Sequence, residues 1–282
     1  RRRGGDLRTQ LEGRNKPSAA ALDHQHTAMT ARRLVVRYGE VVAVAGVDLD
    51  VHDGEVLALM GRNGSGKTSL LWALQGTGKR YDGSVALRAD GSDPSRLTPA
   101  DARTRVGLVP QSPGDLLYLA TVDAECALAD SEGKQDPGTC RAILDRIVPG
   151  VAGGAHPRDL SEGQRLALAL AVQLCPQPAI ILLDEPTRGL DEGAKVRLAG
   201  VITDLAAQGR AVVVATHDVE FVACVANRVV VLAEGEIVAD GPTADVVVAS
   251  PVFAPQVAKV MHPARWLTVA QITSAIDAER VR

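Results

Sequence analysis

Short apolar runs recur along the chain, each bounded by glycine, proline or a charged cluster. Glu55-Val56-Leu57-Ala58-Leu59-Met60 is apolar enough for a buried strand. So are Arg105-Val106-Gly107-Leu108-Val109, Ala179 to Leu183, Ala211 to Ala215 and Val229 to Leu232. Leu34-Val35-Val36-Arg37-Tyr38 and Val47-Asp48-Leu49-Asp50-Val51 predict shorter strands, the second alternating apolar and acidic residues as a half-exposed strand does. His52-Asp53-Gly54 then makes a turn. Gly83-Ser84-Val85-Ala86-Leu87 predicts an edge strand. Ser69-Leu70-Leu71-Trp72-Ala73-Leu74 predicts a helix, and Ser112 to Ser161 a helical, loop-rich stretch. Strands alternating with helices predict a largely parallel sheet.

The ends differ from this middle. Residues 1–28 are polar, start Arg1-Arg2-Arg3 and hold no apolar period, so a linker or disordered arm is expected there. A single large domain then spans residues 29–245. Beyond Gly241-Pro242, residues 246–282 are expected to form a helical extension, with a short helix over Ala244 to Ala249 and others over Val257 to Met261 and Thr268 to Ile276. Leu166 to Leu183 is the most tempting candidate for a membrane span. It contains Gln173, Pro176, Gln177 and Pro178, so it predicts a buried helix, a turn and a buried strand, not a membrane span.

Composition narrows the class. Of 282 residues, 46% are apolar and 23% charged, which places the chain among globular proteins. The net charge of -3 and an aromatic content of 2% argue against nucleic acid as a partner. Cys126, Cys140, Cys175 and Cys224 form no C-x-x-C pair, so zinc and redox readings are poor and a reducing compartment is expected.

The chemistry begins at Gly61-Arg62-Asn63-Gly64-Ser65-Gly66-Lys67-Thr68. This run fits G-x-x-x-x-G-K-[S/T], the phosphate-binding loop of nucleoside triphosphatases. Glycines let successive backbone N–H groups point at an anion. Lys67 adds a cation for the β- and γ-phosphates, and the Thr68 hydroxyl can hold Mg²⁺. The strand before the loop and the helix after it, from Ser69 onward, supply the context the motif requires, with the helix N-terminus strengthening the anion site. A chance glycine-rich turn is the competing reading. A metal-bound triphosphate also needs an acid. Ile180-Ile181-Leu182-Leu183-Asp184-Glu185 puts Asp184 at a strand's C-terminal end, where open α/β sheets bind ligands. Asp184 can hold Mg²⁺, and Glu185 can act as general base toward water.

With these residues in hand, the chain resembles the ATP-binding cassette ATPases over about residues 30 to 245. Leu160-Ser161-Glu162-Gly163-Gln164 is similar to that family's signature peptide, usually L-S-G-G-Q. Asp184-Glu185-Pro186-Thr187 followed by Gly189-Leu190-Asp191 resembles its metal strand and next loop, Thr216-His217-Asp218 its switch histidine, and Gln111 its lid glutamine. Tyr38 stands where the family stacks an aromatic on adenine. The resemblance implies a P-loop α/β fold with a RecA-like parallel core, an N-terminal antiparallel β subdomain and a helical signature subdomain. It implies ATP and Mg²⁺ as ligands, with Gln111 touching metal and water and His217 touching the γ-phosphate. It implies a second cassette closing head to tail, so that Ser161, Glu162, Gly163 and Gln164 face the partner's ATP. Ser161 and Gln164 also have the spacing of a capping box, whatever the family.

Two positions depart from the family pattern. Glu162 stands where glycine is usual, and Ala167 where arginine is common, although Arg165 is present. Val109-Pro110-Gln111-Ser112-Pro113-Gly114-Asp115-Leu116-Leu117-Tyr118, with Thr121-Val122, resembles the lid of energy-coupling factor ATPases, which power uptake of vitamins and of nickel or cobalt. Phe253 to Lys259 and Trp266 to Val269 are similar to the tails of such proteins, particularly tandem cassettes. This implies a membrane-spanning coupling subunit as partner and a peripheral position on the cytoplasmic face of the membrane. A cassette of another importer or exporter, and a non-transport cassette protein, are the alternatives.

Overall fold

The computed structural model describes residues 26 to 249, and beyond them residues 255, 257, 258, 267, 268, 271 and 273. A long hairpin comes first: β1 (Thr27–Tyr38) and β2 (Val41–His52), turning at Gly39-Glu40. Next are β3 (Val56–Met60), α1 (Lys67–Gln75), β4 (Asp82–Leu87), α2 (Pro99–Arg105) and β5 (Val106–Val109). The helical region holds α3 (Val122–Glu132), α4 (Thr139–Ile147) and α5 (Glu162–Leu174). The chain then runs through β6 (Ile180–Asp184), α6 (Glu192–Ala207), β7 (Ala211–Ala215), α7 (Val219–Val225), β8 (Arg228–Ala233), β9 (Glu236–Pro242) and α8 (Thr243–Ala249).

Two sheets result. One is antiparallel with order β2-β1-β4; the other has order β5-β6-β7-β3-β8-β9 and is parallel except for β9. The parallel sheet and the antiparallel N-terminal sheet are those of the expected fold. Every residue of β3, β5, β6 and β7 is buried, which is why these strands read as continuous apolar runs. α1 packs between the sheets through Leu70, Leu71 and Leu74, each fully buried leucine contributing ~2 kcal/mol. A second cluster joins α3, α4, α5 and α6 to the other face.

Three sequence expectations need correction. β1 and β2 are twelve residues each, longer than the runs at Leu34 to Tyr38 and Val47 to Val51. Register shifts between Ala31 and Leu34 put Arg32 and Arg33 both outward, so the alternation breaks while the strand continues. β1 already begins at Thr27, inside the stretch expected as arm. β9 gave no apolar signal because it is an edge strand with no buried residue. Most of the arm, and most of Val257 to Met261 and Thr268 to Ile276, lie outside the described residues. Of the C-terminal segment, Ala258 and Leu267 are buried against Met60, Val222 and Val229.

Candidate functional site

Strand pairing brings the sequence-distant motifs together. β7 lies between β6 and β3, with Asp184 opposite Ala215 and Ala215 opposite Leu59. The loops leaving these three strands carry Gly61 to Thr68, Asp184-Glu185 and Thr216-His217. Leu59 accepts from the Thr216 N–H at 3.1 Å, and Ala215 from the Glu185 N–H at 2.8 Å. β5 flanks β6, with Val109 opposite Leu183, so Gln111 follows onto the same edge. Gln111, Asp184 and Glu185 all line one cleft of about 740 Å³.

The phosphate loop has little room for any side chain. A Cβ at Gly61 would lie 2.4 Å from the Leu232 carbonyl oxygen; at Gly66 it would lie 2.1 Å from that of Ala43. Gly66 (φ +104°) is the N-cap of α1 and offers no side-chain cap, leaving the first helical N–H groups available to a ligand. Arg62, Asn63, Gly64 and Thr68 are exposed, Gly66 and Ser69 half-buried, and Ser65 and Lys67 buried. Lys67 Nζ donates to the Gly61 and Arg62 carbonyls at 2.9 and 3.2 Å, so it bridges the mouth of the loop. Gly66→Ala should lower the thermal midpoint more than Gly64→Ala. Both have positive φ, worth ~1–3 kcal/mol when strained, but at Gly64 the space for a Cβ is open. Equal midpoints would show that the Ala43 carbonyl gives way.

The acidic side is organised around orphaned oxygens. Asp184 is buried, and neither carboxylate oxygen has a hydrogen-bond partner among the described residues. Burial pushes its carboxyl above the usual carboxylate range; Glu185 adds to this, while the Thr68 hydroxyl and Lys67 ammonium oppose it. An unpaired buried carboxylate costs free energy that a divalent cation with oxygen ligands removes. Asp184, Thr68 and Gln111 are thus a donor set of the right chemistry for Mg²⁺. Glu185 has φ +48°, a conformation rare outside glycine. Its Oε2 accepts from the Thr216 hydroxyl at 3.3 Å and lies 2.8 Å from His217 Nδ1. His217 is exposed.

Tyr38 ends β1 at the hairpin turn, 56% exposed, and Ala43 of the same hairpin abuts Gly66. Its ring is therefore open to solvent at that end of the hairpin. The signature peptide behaves as its spacing predicts: Ser161 Oγ accepts from the Gln164 N–H at 3.3 Å, and Gln164 Oε1 from the Ser161 N–H at 3.1 Å. The cap leaves the N–H groups of Glu162 and Gly163 at the start of α5 without intrahelical partners.

Some contributors carried no sequence signal. Lys195 of α6 pairs with Asp218 at 2.9 Å, beside His217. Burial works against the Asp218 charge, but Lys195 and the Phe221 N–H hold its carboxyl below the usual range. Glu125, buried on α3, accepts from the Leu119 N–H at 2.6 Å and so ties down the lid after Gln111. Neither belongs to a motif; only the tertiary contact reveals them.

Known proteins resemble this chain in sequence and in fold. The ABC transporter family model matches residues 44–188, and an ABC transporter ATP-binding protein of Halobacterium salinarum is 37% identical over 77% of this chain and 94% of its own length. The chain belongs to the ABC transporter ATP-binding family. Members are ATPases, and this cassette carries their fold. A Streptomyces coelicolor protein named as an ABC transporter ATP-binding protein is 59% identical over 88% of the chain, which spans 44% of that relative's length. The cobalt import ATP-binding protein CbiO of Rhodobacter capsulatus is 36% identical over 74% of the chain and 76% of its own length. Among solved structures, cbiO1 of Clostridium perfringens, part of the complex cbiONQ, aligns with TM-score 0.68 and 25% identity over 84% of this chain and 99% of that one. A cassette dimer in a post-hydrolysis state with ADP and phosphate aligns with TM-score 0.68 and 24% identity, over 76% and 98%. Among the described residues of the cassette, no helix is long and apolar enough to cross a membrane.

Proposed function

We propose that this ABC cassette binds Mg·ATP on Gly61 to Ser69 and hydrolyses it to power uptake of the energy-coupling factor type. The observation that carries the hydrolytic site is the orphaned Asp184 carboxylate beside Glu185, on the sheet edge that also bears the phosphate loop. Tyr38 stacks on the adenine. Lys67 leaves its two loop carbonyls for the β- and γ-phosphates, the same donors meeting stronger acceptors. Thr68, Asp184 and Gln111 would hold Mg²⁺, which would supply charge neutralisation on the phosphates. Glu185 takes the proton from water, oriented by Thr216 and His217, and His217 reports the γ-phosphate. Ser161, Glu162, Gly163 and Gln164 meet the ATP of a second cassette at the start of α5.

The likeness to CbiO supports uptake of a transition metal ion or vitamin as the task. The length of the Streptomyces relatives supports a partner cassette within the same polypeptide. We place the membrane subunit's docking surface on the lid. Leu116 and Leu117 are half-buried against the helical cluster, whereas Tyr118 is 76% exposed. Tyr118 stands between two hollows of about 370 and 230 Å³, one with Leu117 and Pro157, the other with Leu128 and Val172. An exposed aromatic flanked by hollows suits a helical loop of a membrane subunit at the cytoplasmic face. In native membranes, Tyr118→Cys should cross-link to an integral membrane protein. Labelling of water-soluble proteins alone would favour a non-transport cassette and sink the uptake reading.

A further inference from the structure

Glu162 places a carboxylate at the helix terminus that the proposed reading aims at the partner's triphosphate. The structure shows what offsets it. Arg165, one turn further along α5, pairs with Glu162 Oε1 through Nη1 at 2.6 Å. The rest of its guanidinium fastens the loop that leads into the signature. Nε donates to the Pro157 carbonyl at 3.3 Å, and Nη2 to those of Arg158 and Leu160 at 3.1 and 2.9 Å. One side chain thus binds four acceptors on both sides of Ser161. The Glu162 stem passes close to the Gly189 backbone, where a Cβ would stand 3.4 Å from Glu162 Cγ.

An exposed ion pair at this spacing adds little to folding stability. Its position gives it another use. We infer that Arg165 is a positioning residue for hydrolysis at the partner's site. It neutralises Glu162 and fixes the Pro157, Arg158 and Leu160 carbonyls, so that an acid-bearing signature still accepts a polyphosphate. The fork geometry of arginine makes this a role lysine fills poorly. The inference rests on the reading that this signature faces the partner's ATP.

The test is ATP hydrolysis by the full-length protein assembled with its partner cassette and membrane subunit, comparing wild type, Arg165→Gln, Glu162→Gly and the double variant. Arg165→Gln should lower kcat about tenfold or more, the scale of losing one preorganised charge at a phosphate, with KM for ATP little changed. Adding Glu162→Gly should recover most of that loss, to within about threefold of Glu162→Gly alone, because the two residues are coupled. An equal loss in both backgrounds would show that Arg165 acts only as a loop tether, and would overturn the inference. Glu162→Gln keeps Arg165 and its three carbonyl bonds, so folding is not at issue. It should raise turnover; no rise, or a fall, also overturns the inference. Ser161→Ala separates the two levels. If it slows hydrolysis while the charge variants do not, only the role of Arg165 is lost. If Ser161→Ala is also silent while Lys67→Ala abolishes binding, the partner-facing reading is lost with it.

Discussion

Lys67→Ala should abolish ATP binding or nearly so, with affinity falling about 100-fold or more, as loss of a charge-assisted contact to a polyanion in a closed loop predicts. In the structure Lys67 is the buried cation of the loop, its Nζ on the Gly61 and Arg62 carbonyls. Phosphate oxygens would take the place of these carbonyls as the stronger acceptors. Alanine is a good helix former at the first position of α1, so the fold should survive. The measurement is nucleotide affinity by titration beside a thermal melt. Unchanged affinity in a folded variant would refute the loop assignment. Loss of affinity with loss of the melt would call for Lys67→Met, which keeps the stem that packs in the loop.

Glu185→Gln has the second largest expected effect and acts on a different step. ATP binding should persist and turnover should fall about 10²–10⁴-fold, the usual worth of a general base. The backbone at Glu185 is already in the left-handed region, and glutamine has the same stem and the same tolerance of it. The amide also keeps an oxygen to accept from Thr216 and His217, so the geometry around it is retained while the base is lost. Because the product state does not form, Mg·ATP should trap the assembled cassettes in a closed pair, seen as a larger species in sedimentation. Near-normal hydrolysis would put the base elsewhere. Retained turnover in His217→Ala together with its loss in Glu185→Gln would show that Glu185 acts as base without help from His217.

Much of this fold is legible in the sequence. β3, β5, β6 and β7 are buried on both faces, so their sequences are unbroken apolar runs, and such runs are readable whatever surrounds them. The capping box of Ser161 and Gln164 was legible for a related reason: it is a local hydrogen-bond pattern with a fixed spacing. The length of β1 was not, because bulges at Arg32 and Arg33 break the alternation on which strand reading depends. β9 was not, because an edge strand with no fully buried residue, only half-buried Ile237 and Ala239 on its apolar side, gives a weak apolar pattern.

The sequence by itself determined which chemical groups are present and what each can do: a glycine loop with Lys67 and Thr68, two acids at a strand end, a histidine after another, and an acid in the signature. Local covalent geometry and hydrogen-bond spacing are enough for that. Only the tertiary structure decided how those groups meet. The strand order β6-β7-β3 sets Asp184, His217 and Lys67 on one edge, and that order follows from crossovers no local pattern encodes. It also decided that Asp184 is buried beside Thr68, Lys67 and Glu185, that Lys195 steadies Asp218, and that the charge of Glu162 is met by Arg165. Burial and through-space pairing depend on packing between segments far apart in the chain, so these couplings exist only once the chain has folded.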